Sequence, residues 1–265
     1  MKLAIFGAAG RMGQAVARLA CASADIRIVG AAEAPGGPHV GADVGELAGI
    51  GTLGVAIGND AAAALLGADV LVDFSTAAAI PAMLNAATRA RVAVVSGTTG
   101  LDDAARGAIS RSAEHVPVLW APNMSIGVQV LRQLLRQAMA ALGPAYDLEI
   151  VEVHHGAKVD APSGTALDLA AAAREAQAEL ELVHGRQGPA GPRRHAEIGV
   201  HAVRGGGVVG DHTVHLLGQL ERLEITHRAI HRDLFAAGAL EAARFVVGKP
   251  PGRYTLADVI ASGPA

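Results

Sequence analysis

The chain has 265 residues, of which 51% are hydrophobic and 18% charged, so a substantial core can form and wholesale disorder is excluded. A formal net charge of −3 and an aromatic content of 3% argue against a nucleic-acid partner. The single cysteine, Cys21, excludes an internal disulfide and a cysteine-built metal site, and no apolar run approaches the roughly 20 residues of a membrane helix.

The first 120 residues alternate short apolar runs with alanine-rich stretches. The apolar runs predict strands buried on both faces, at Lys2–Phe6, Ile26–Ala32, Val70–Phe74, Val92–Ser96 and Val116–Trp120. The alanine-rich stretches predict crossover helices at Gln14–Cys21, Ala77–Thr88 and Asp102–Ser112. Strand–helix alternation indicates an α/β unit with a doubly wound parallel sheet, in which residues 34–58 are mostly loop. Because the first run enters a glycine-rich turn at once, we interpret it as a strand, not a signal peptide, and expect a cytoplasmic protein.

The pattern changes after Trp120. The segments that follow predict, in order, helix Val128–Leu142, strand Asp147–His154, helix Gly164–Ala178, a mobile loop at 184–195, strands Glu197–Val203, Val208–Leu216 and Arg222–Arg228, and helix Leu234–Val247. Three consecutive strands without crossover helices predict an antiparallel or mixed sheet.

A glycine-rich turn, Gly7–Gly13, follows the first strand and opens the first helix. Its spacing is Gly-x-x-Gly-x-x-Gly, so it departs from the strict dinucleotide fingerprint at Ala8. Glu33, about 20 positions further on, ends the second strand, where a carboxylate can accept hydrogen bonds from ribose hydroxyls. The turn and Glu33 together predict a dinucleotide site; the alternative is an ordinary tight turn and a surface glutamate.

The same residues bear on cofactor choice. A carboxylate at Glu33 repels the extra phosphate of NADP, and no basic residue lies among residues 34–37. Because Arg11 could still reach a phosphate, we expect only a preference, with NADH at least as good as NADPH.

Two segments lie where later strands of the sheet should end, at Ser96–Gly100 and Ala121–Met124. Ligands of open α/β sheets bind at the carboxyl ends of strands, so these segments are candidates for the nicotinamide ribose. Asp73–Thr76 occupies a similar place and is a weaker candidate. The alternative is a set of ordinary turns, with Asp102 capping a helix.

Residues 149–166 place titratable groups next to a helix start. His154 and His155 end a strand, Lys158 and Asp160 lie in the loop, and Ser163-Gly164-Thr165 precede the helix. A helix N-terminus with a lysine and a histidine can receive a carboxylate, and either side chain can transfer a proton. The alternative is a polar loop in which Asp160 or Ser163 caps the helix.

At these residues the chain resembles the dihydrodipicolinate reductase family. Its signature, Glu-[Ile/Val]-x-Glu-x-His-x-x-x-Lys-x-Asp-x-Pro-Ser-Gly-Thr-Ala, is met at every fixed position from Glu149 to Ala166. Segments 203–206 and 210–212 also look like the family. Many members carry an arginine just after the ribose-binding acid, where this chain has Ala34.

The resemblance implies an NAD(P)H-dependent oxidoreductase of L-lysine biosynthesis by the diaminopimelate pathway. It would reduce a cyclic dicarboxylate derived from 4-hydroxy-tetrahydrodipicolinate to tetrahydrodipicolinate, with water lost before or during reduction. It implies His154 and Lys158 as proton-transfer residues and His155, Gly164 and Thr165 as substrate-binding residues. The implied cofactor-binding residues are Gly7, Ala8, Ala9, Gly10, Arg11, Met12, Glu33, Gly97, Thr98, Thr99, Ala121, Pro122, Asn123 and Met124.

The resemblance also implies two-domain subunits that assemble into a homotetramer, and from the residues we expect no metal. We expect a Rossmann-type dinucleotide-binding domain at 1–125 and 236–265, and a smaller α+β domain with a mixed sheet at 126–235, for substrate binding and assembly. Transfer between sites on different domains predicts closure about hinges near 125–127 and 234–237.

Three other functions would each account for part of the sequence. A two-domain dehydrogenase that forms a thioester needs a nucleophilic cysteine. Cys21 is expected in the first helix, buried in the core, which argues against this function. A nucleotide sensor would leave the His–Lys loop without a role. A metal hydrolase would need ligands such as the pairs His212/His215 and His227/His231, which lack the H-E-x-x-H pattern.

Overall fold

The computed structural model describes residues 1–263 and divides by its internal contacts into two compact units. The first contains residues 1–125 and the chain from Asp233 onward, and the second contains Ile126–Arg232. The chain thus returns to the first unit at Asp233, where a helix begins, and not at 236. Residues 234–237, expected as a hinge, lie inside that helix and not in a connecting segment.

The strands of the described chain are β1 (Lys2–Phe6), β2 (Arg27–Ala32), β3 (Ile57–Gly58), β4 (Val70–Asp73), β5 (Ala93–Ser96), β6 (Pro117–Trp120), β7 (Asp147–His154), β8 (Glu181–His184), β9 (Glu197–Arg204), β10 (Gly210–Leu217), β11 (Arg222–Ala229) and β12 (Gly252–Tyr254). The α-helices are α1 (Arg11–Cys21), α2 (Val44–Ala48), α3 (Ala61–Ala64), α4 (Ile80–Ala90), α5 (Asp103–Ala113), α6 (Ile126–Leu142), α7 (Gly164–Ala176), α8 (Asp233–Val246) and α9 (Leu256–Ala261).

The first unit is built on a seven-stranded parallel sheet in the order β12-β6-β5-β4-β1-β2-β3. The order reverses between β1 and β4, as in a doubly wound sheet with crossover helices on both faces. Leu71 of β4 and Val94 of β5 pack with Leu84 of α4 and Ile109 of α5 in one buried cluster. Helix α8 packs against β4, β5 and α1. The Rossmann-type prediction is therefore confirmed.

The second unit contains a five-stranded sheet in the order β11-β10-β7-β9-β8. Strand β10 is antiparallel to β7 and β11, whereas β9 is parallel to β7 and β8, so the predicted mixed sheet is confirmed. One face of this sheet packs on α6 and α7, where Leu135, Ile150, Leu169 and Val214 are fully buried. Strand β7 therefore turns its even-numbered residues, from Leu148 to His154, toward the helices.

The structure departs from the sequence predictions in short elements. Residues 34–58 contain α2 and β3, and β8, β12 and α9 were not predicted. A two-residue strand such as β3 is too short to show a periodic pattern. Helix α2 starts because Asp43 accepts hydrogen bonds from the backbone N–H groups of Gly45 and Glu46, at 2.8 and 3.2 Å.

Two expectations about single segments are corrected. Cys21 is the last residue of α1 and is exposed, not part of the core. The segment predicted as a mobile loop begins with the end of β8, and Arg186 and Arg193 bind Glu149 through hydrogen bonds of 2.9–3.0 Å. Guanidinium groups of a loop with little apolar content thus attach it to a strand, which hydrophobic patterning does not reveal. Within residues 1–263, no helix is both long and apolar enough to cross a membrane.

Candidate functional site

The glycine-rich turn between β1 and α1 leaves no room for side chains at two positions. Gly7 has φ of +70°, and a Cβ there would lie 2.6 Å from the carbonyl oxygen of Phe74. A Cβ on Gly13 would overlap the carbonyl oxygen of Gly7 and lie 2.7 Å from the Cα of Ala8. The turn therefore packs tightly beneath the start of α1, whose first N–H groups have no intrahelical partners. Gly10 caps this helix without a side-chain hydrogen bond. This open N-terminus fits a pyrophosphate.

Glu33 lies next to the same turn. Its Oε2 accepts a hydrogen bond from the backbone N–H of Ala9 at 3.2 Å, and its Oε1 accepts one from Ala34 at 3.0 Å. The carboxylate just beyond β2 is thus fixed beside the Gly7–Gly13 turn, as a dinucleotide site requires. The residues present fit such a cofactor.

The ends of β4, β5 and β6 are joined by hydrogen bonds to one buried carboxylate and from one indole. Asp73 has no exposed surface, and its Oδ2 accepts hydrogen bonds from Ser96 Oγ at 2.6 Å and Thr98 Oγ1 at 2.8 Å. Its Oδ1 accepts a third from the N–H of Ser75 at 3.0 Å. The indole N–H of Trp120 donates to the carbonyl of Thr98 at 2.8 Å. Three strand ends identified from the sequence therefore lie together, and Asp73, the weakest candidate, connects two of them.

Within this group Gly97 is needed for packing, because a Cβ there would overlap the ring of Phe74. Asn123 Oδ1 accepts a hydrogen bond from the N–H of Ser125 at 2.9 Å. Asp102 also caps α5, accepting from Ala105 at 2.8 Å. The capping role considered for Asp102 is thus present alongside the candidate site.

In the second unit, Glu152 of β7 is fully buried and surrounded by donors. Its carboxylate receives both terminal nitrogens of Arg204 at 2.7 Å, the N–H of Ser163 at 3.0 Å, and Nδ1 of His154 at 2.6 Å. Burial alone would raise the pKa of Glu152, but these hydrogen bonds, first those from Arg204, hold the pKa below its usual value. Glu152 is therefore an anion that fixes the end of β7.

The loop after β7 carries Lys158, whose Nζ donates to Asp160 Oδ1 at 2.7 Å. The Lys158 side chain is 19% exposed. Its hydrogen bond lowers the pKa of Asp160. Arg204 also donates to the backbone carbonyl of Asp160 at 2.8 Å, so one arginine binds both Glu152 and the lysine loop.

Helix α7 starts at the end of this loop. Ser163 is its N-cap, and its Oγ accepts from the N–H of Ala166 at 3.2 Å and contacts Nε2 of His212 at 3.0 Å. Burial lowers the pKa of His212 to about 4, so this imidazole is neutral near pH 7. A Cβ placed on Gly164 would meet no atom within 4 Å, so the start of the helix is open.

His155 faces a further arginine. Its Nε2 lies 2.9 Å from Nη2 of Arg232, and because a guanidinium only donates, Nε2 of His155 must accept. Neutral His155 then carries its hydrogen on Nδ1. The end of β7, the loop after it and the start of α7 thus carry His154, His155, Lys158, Gly164 and Thr165.

The partners Arg204, His212 and Arg232 were not predicted as site residues from the sequence, where His212 was weighed only as a metal ligand. Arg204 and His212 lie in segments 203–206 and 210–212. The likeness of these segments to the family was the sequence signal that could have identified both residues. Among residues 1–263 no group of three histidine, cysteine or acidic side chains is placed to hold a metal ion. His212 and His227 are register partners on β10 and β11, and burial lowers the pKa of both.

Two models of known protein families together match nearly the whole chain. The N-terminal model of dihydrodipicolinate reductase matches residues 1–124, and the C-terminal model matches residues 127–260. The chain belongs to the dihydrodipicolinate reductase family. This confirms the resemblance and, with it, a nicotinamide-dependent oxidoreductase.

Curated relatives agree with this family. A 4-hydroxy-tetrahydrodipicolinate reductase from Anaeromyxobacter sp. (strain Fw109-5) is 47% identical over 98% of this chain and 97% of its own length. One from Methanopyrus kandleri is also 47% identical, over 98% of this chain and 96% of its own. A dipicolinate-bound dihydrodipicolinate reductase from Paenisporosarcina sp. TG-14 shares the fold, with TM-score 0.77 and 22% identity over 96% of this chain and 97% of that one.

Proposed function

We propose that this reductase converts the cyclic dicarboxylate derived from 4-hydroxy-tetrahydrodipicolinate to tetrahydrodipicolinate with NAD(P)H, in L-lysine biosynthesis by the diaminopimelate pathway. The observation that carries the proposal is the signature segment 149–166, in which a buried glutamate holds His154 and a helix start follows Lys158. Full-length relatives with this activity in their names, and a dipicolinate-bound member of the same fold, support the substrate class.

The substrate would be held by charge and by the start of α7. A carboxylate near Gly164 and Thr165 gains from the helix dipole, and the open space above Gly164 can admit it. Lys158 and the Arg232-bound imidazole of His155 add donors for the rest of the molecule. A dicarboxylate matches this arrangement better than a neutral ring does.

Bound nicotinamide would supply the hydride. The Gly7–Met12 turn would bind its pyrophosphate, Glu33 the adenosine ribose, and Gly97–Thr99 with Ala121–Met124 the nicotinamide half. On the substrate side, a proton must reach the reduced ring. His154 and Lys158 are the candidate donors of this proton.

We propose NADH as the better or equal cofactor. Glu33 is fixed by two backbone N–H groups, so its charge cannot turn away from a 2′-phosphate without losing both hydrogen bonds. Residues 34–37 offer no base to offset that repulsion.

The proposed assembly is a cytoplasmic homotetramer formed through the second sheet. The face of this sheet turned away from α6 and α7 carries Val151, Val153, Val203, Thr213 and Thr226, and we call it the open face. Val203 is 47% exposed there. Apolar and β-branched side chains on such a face suit stacking against a second sheet.

An absorbance assay tests the reaction. Substrate generated in situ from pyruvate and aspartate semialdehyde is offered with NADH and NADPH separately, and loss of the reduced nicotinamide is followed. We expect turnover with both, faster or at lower KM with NADH. Binding of NADH without any turnover would refute the proposed reaction and favour a nucleotide sensor.

A further inference from the structure

The hydrogen bonds around Glu152 determine where the proton of His154 lies. Each carboxylate oxygen accepts two donors: Oε1 from Arg204 Nη2 and Ser163 N–H, and Oε2 from Arg204 Nη1 and His154 Nδ1. A guanidinium and a backbone N–H group can only donate. An ionised carboxylate can only accept, so Nδ1 of His154 must carry a hydrogen.

A neutral His154 therefore has its lone pair on Nε2. This edge of the ring lies against Gly210, since a Cβ there would come within 2.9 Å of Nε2. The ring of His212 meets His154 edge-on, with centroids 5.2 Å apart. Because His212 is neutral near pH 7, it does not oppose a positive charge on His154.

The same arginine extends the arrangement to Lys158. Arg204 is held on β9 directly opposite His154 in the strand register, and it binds both Glu152 and the carbonyl of Asp160. The Arg204 side chain is 19% exposed, and the Glu152 side chain is fully buried. One ion pair thus connects the two candidate proton donors.

We propose that Glu152 and Arg204 are positioning residues, which hold His154 as its Nδ1–H tautomer and fix the loop that carries Lys158. The proposal deepens the proposed function and rests on the proton-transfer role of His154. In this arrangement Nε2 is the nitrogen that exchanges the proton with substrate. Arg204 keeps Glu152 ionised and acceptor-only.

The variant Glu152→Gln tests the tautomer. With its amide oxygen toward Ser163 N–H and Arg204 Nη2, the NH₂ group meets one obligatory donor, Arg204 Nη1, whereas the opposite orientation would set it against two. The first orientation is therefore favoured, and its NH₂ group faces Nδ1 of His154. Nδ1 would then accept, and the hydrogen would move to Nε2. We expect kcat to fall by about 10²-fold, because a misplaced proton donor forfeits general acid–base catalysis, with KM for NADH unchanged.

Nitrogen-15 NMR of histidine-labelled protein measures the tautomer directly, with the His154 signals assigned by their absence from His154→Ala. We expect the Nδ1–H form in the wild type and the Nε2–H form in Glu152→Gln. Glu149→Gln is the matched control, because Glu149 lies on the same strand and binds arginines and Nε2 of His201. It should leave the His154 tautomer unchanged.

Arg204→Lys tests the second half of the proposal. It keeps a cation beside Glu152 but replaces the two guanidinium nitrogens, which reach the two carboxylate oxygens and the Asp160 carbonyl, with a single ammonium nitrogen. We expect the Nδ1–H tautomer to persist while kcat falls by about 10-fold or more. Wild-type turnover in this variant would overturn the role of Arg204 in fixing the loop.

The wild-type spectrum decides the tautomer even where Glu152→Gln fails to fold: an Nε2–H form near pH 7 overturns the proposal. So does a folded Glu152→Gln with kcat within a few-fold of wild type. Near-normal activity of His154→Ala would instead refute the proposed role of His154 and leave the measured tautomer standing.

Discussion

Lys158 is the residue whose proposed role depends most on its surroundings. Its ammonium group is held by Asp160 and lies in the loop that leads to the end of α7 proposed to bind substrate. A lysine in this place can neutralise a substrate carboxylate and donate a proton. Both roles require the ammonium group to be held in a fixed position.

Lys158→Ala should lower kcat by about 10²-fold or more, because a general acid contributes typically 10²–10⁴. Steady-state rates with in situ substrate measure this. Lys249→Ala is the control, since Lys249 lies over the ring of Phe245 in the first unit and should remain within a few-fold of wild type. Activity of Lys158→Ala close to that of the control would remove Lys158 from the mechanism.

Glu33→Ala should weaken NADH binding more than NADPH binding, because it removes both a ribose acceptor and the repulsion of the 2′-phosphate. Fluorescence titration of each cofactor gives the two dissociation constants. Glu46→Ala, which removes an exposed carboxylate bonded to Thr52, should change neither. Equal weakening of both cofactors by Glu33→Ala would show that Glu33 does not read the ribose.

Glu149 gives a pH-dependent contribution to stability. Burial would raise its pKa, but hydrogen bonds from Arg186, His201 and Arg193 lower it to about 2 from a usual value of 4.5. A depressed carboxyl pKa stabilises the folded state above the unfolded pKa, and this stability is lost as the pH falls toward about 2. The shift corresponds to about 3 kcal/mol at neutral pH.

Glu149→Gln should therefore unfold more easily than wild type at pH 7, and the difference should shrink between about pH 4.5 and 2. Urea unfolding at several pH values measures it, with Glu46→Gln as an exposed control. A difference that stayed constant down to pH 2 would contradict the assigned ionisation.

At the scale of elements, the turn between β1 and α1 depends on close backbone packing. Gly13 touches the backbone of Gly7 and Ala8, so α1 can start where it does only without a side chain at this position. A displaced α1 would also displace the N–H groups that are proposed to bind the pyrophosphate.

Gly13→Val should lower the free energy of unfolding by about 2 kcal/mol or more, through overpacking, and raise the Kd for NADH. Chemical unfolding and cofactor titration measure the two effects. Gly58→Ala is the control, because a Cβ there meets only ordinary contacts at 3.8–3.9 Å. A stable Gly13→Val that bound NADH normally would refute the tight packing of this turn.

Only some of the helices and strands could be predicted from the sequence. The buried strands β1, β4 and β5 and the helices α4 and α5 were predicted close to their observed bounds, because their apolar periods are local. Strands β3 and β12 are two and three residues long and exist through pairing with β2 and β6. No local pattern of that length distinguishes a strand from a loop.

At the scale of the whole molecule, the proposed tetramer would form through the second sheet. The open face of the second sheet presents β-branched side chains at its centre, where Val151 pairs with Thr213 in the strand register. Stacking two such faces from different subunits would bury apolar surface without changing the fold of either subunit.

Val151→Arg should convert the proposed tetramer into smaller species, because burying the added charge and its long side chain between stacked sheets is costly. Analytical ultracentrifugation measures the mass in solution. Leu66→Arg, at a 75% exposed position of the first unit, should leave the mass unchanged. A wild-type monomer, or a tetramer that tolerates Val151→Arg, would refute assembly through this face.

Local sequence patterns were sufficient to predict the buried strands, the glycine turn, the acidic residue after β2 and the signature from Glu149 to Ala166. These are local in the chain, so periodicity and spacing record them. The groups that donate hydrogen bonds to the buried Glu152 are known only from the folded structure. Its partner Arg204 lies 52 residues away and reaches it because β7 and β9 pair in one register. A buried carboxylate requires donors, but its identity does not say which distant residues supply them; strand pairing does.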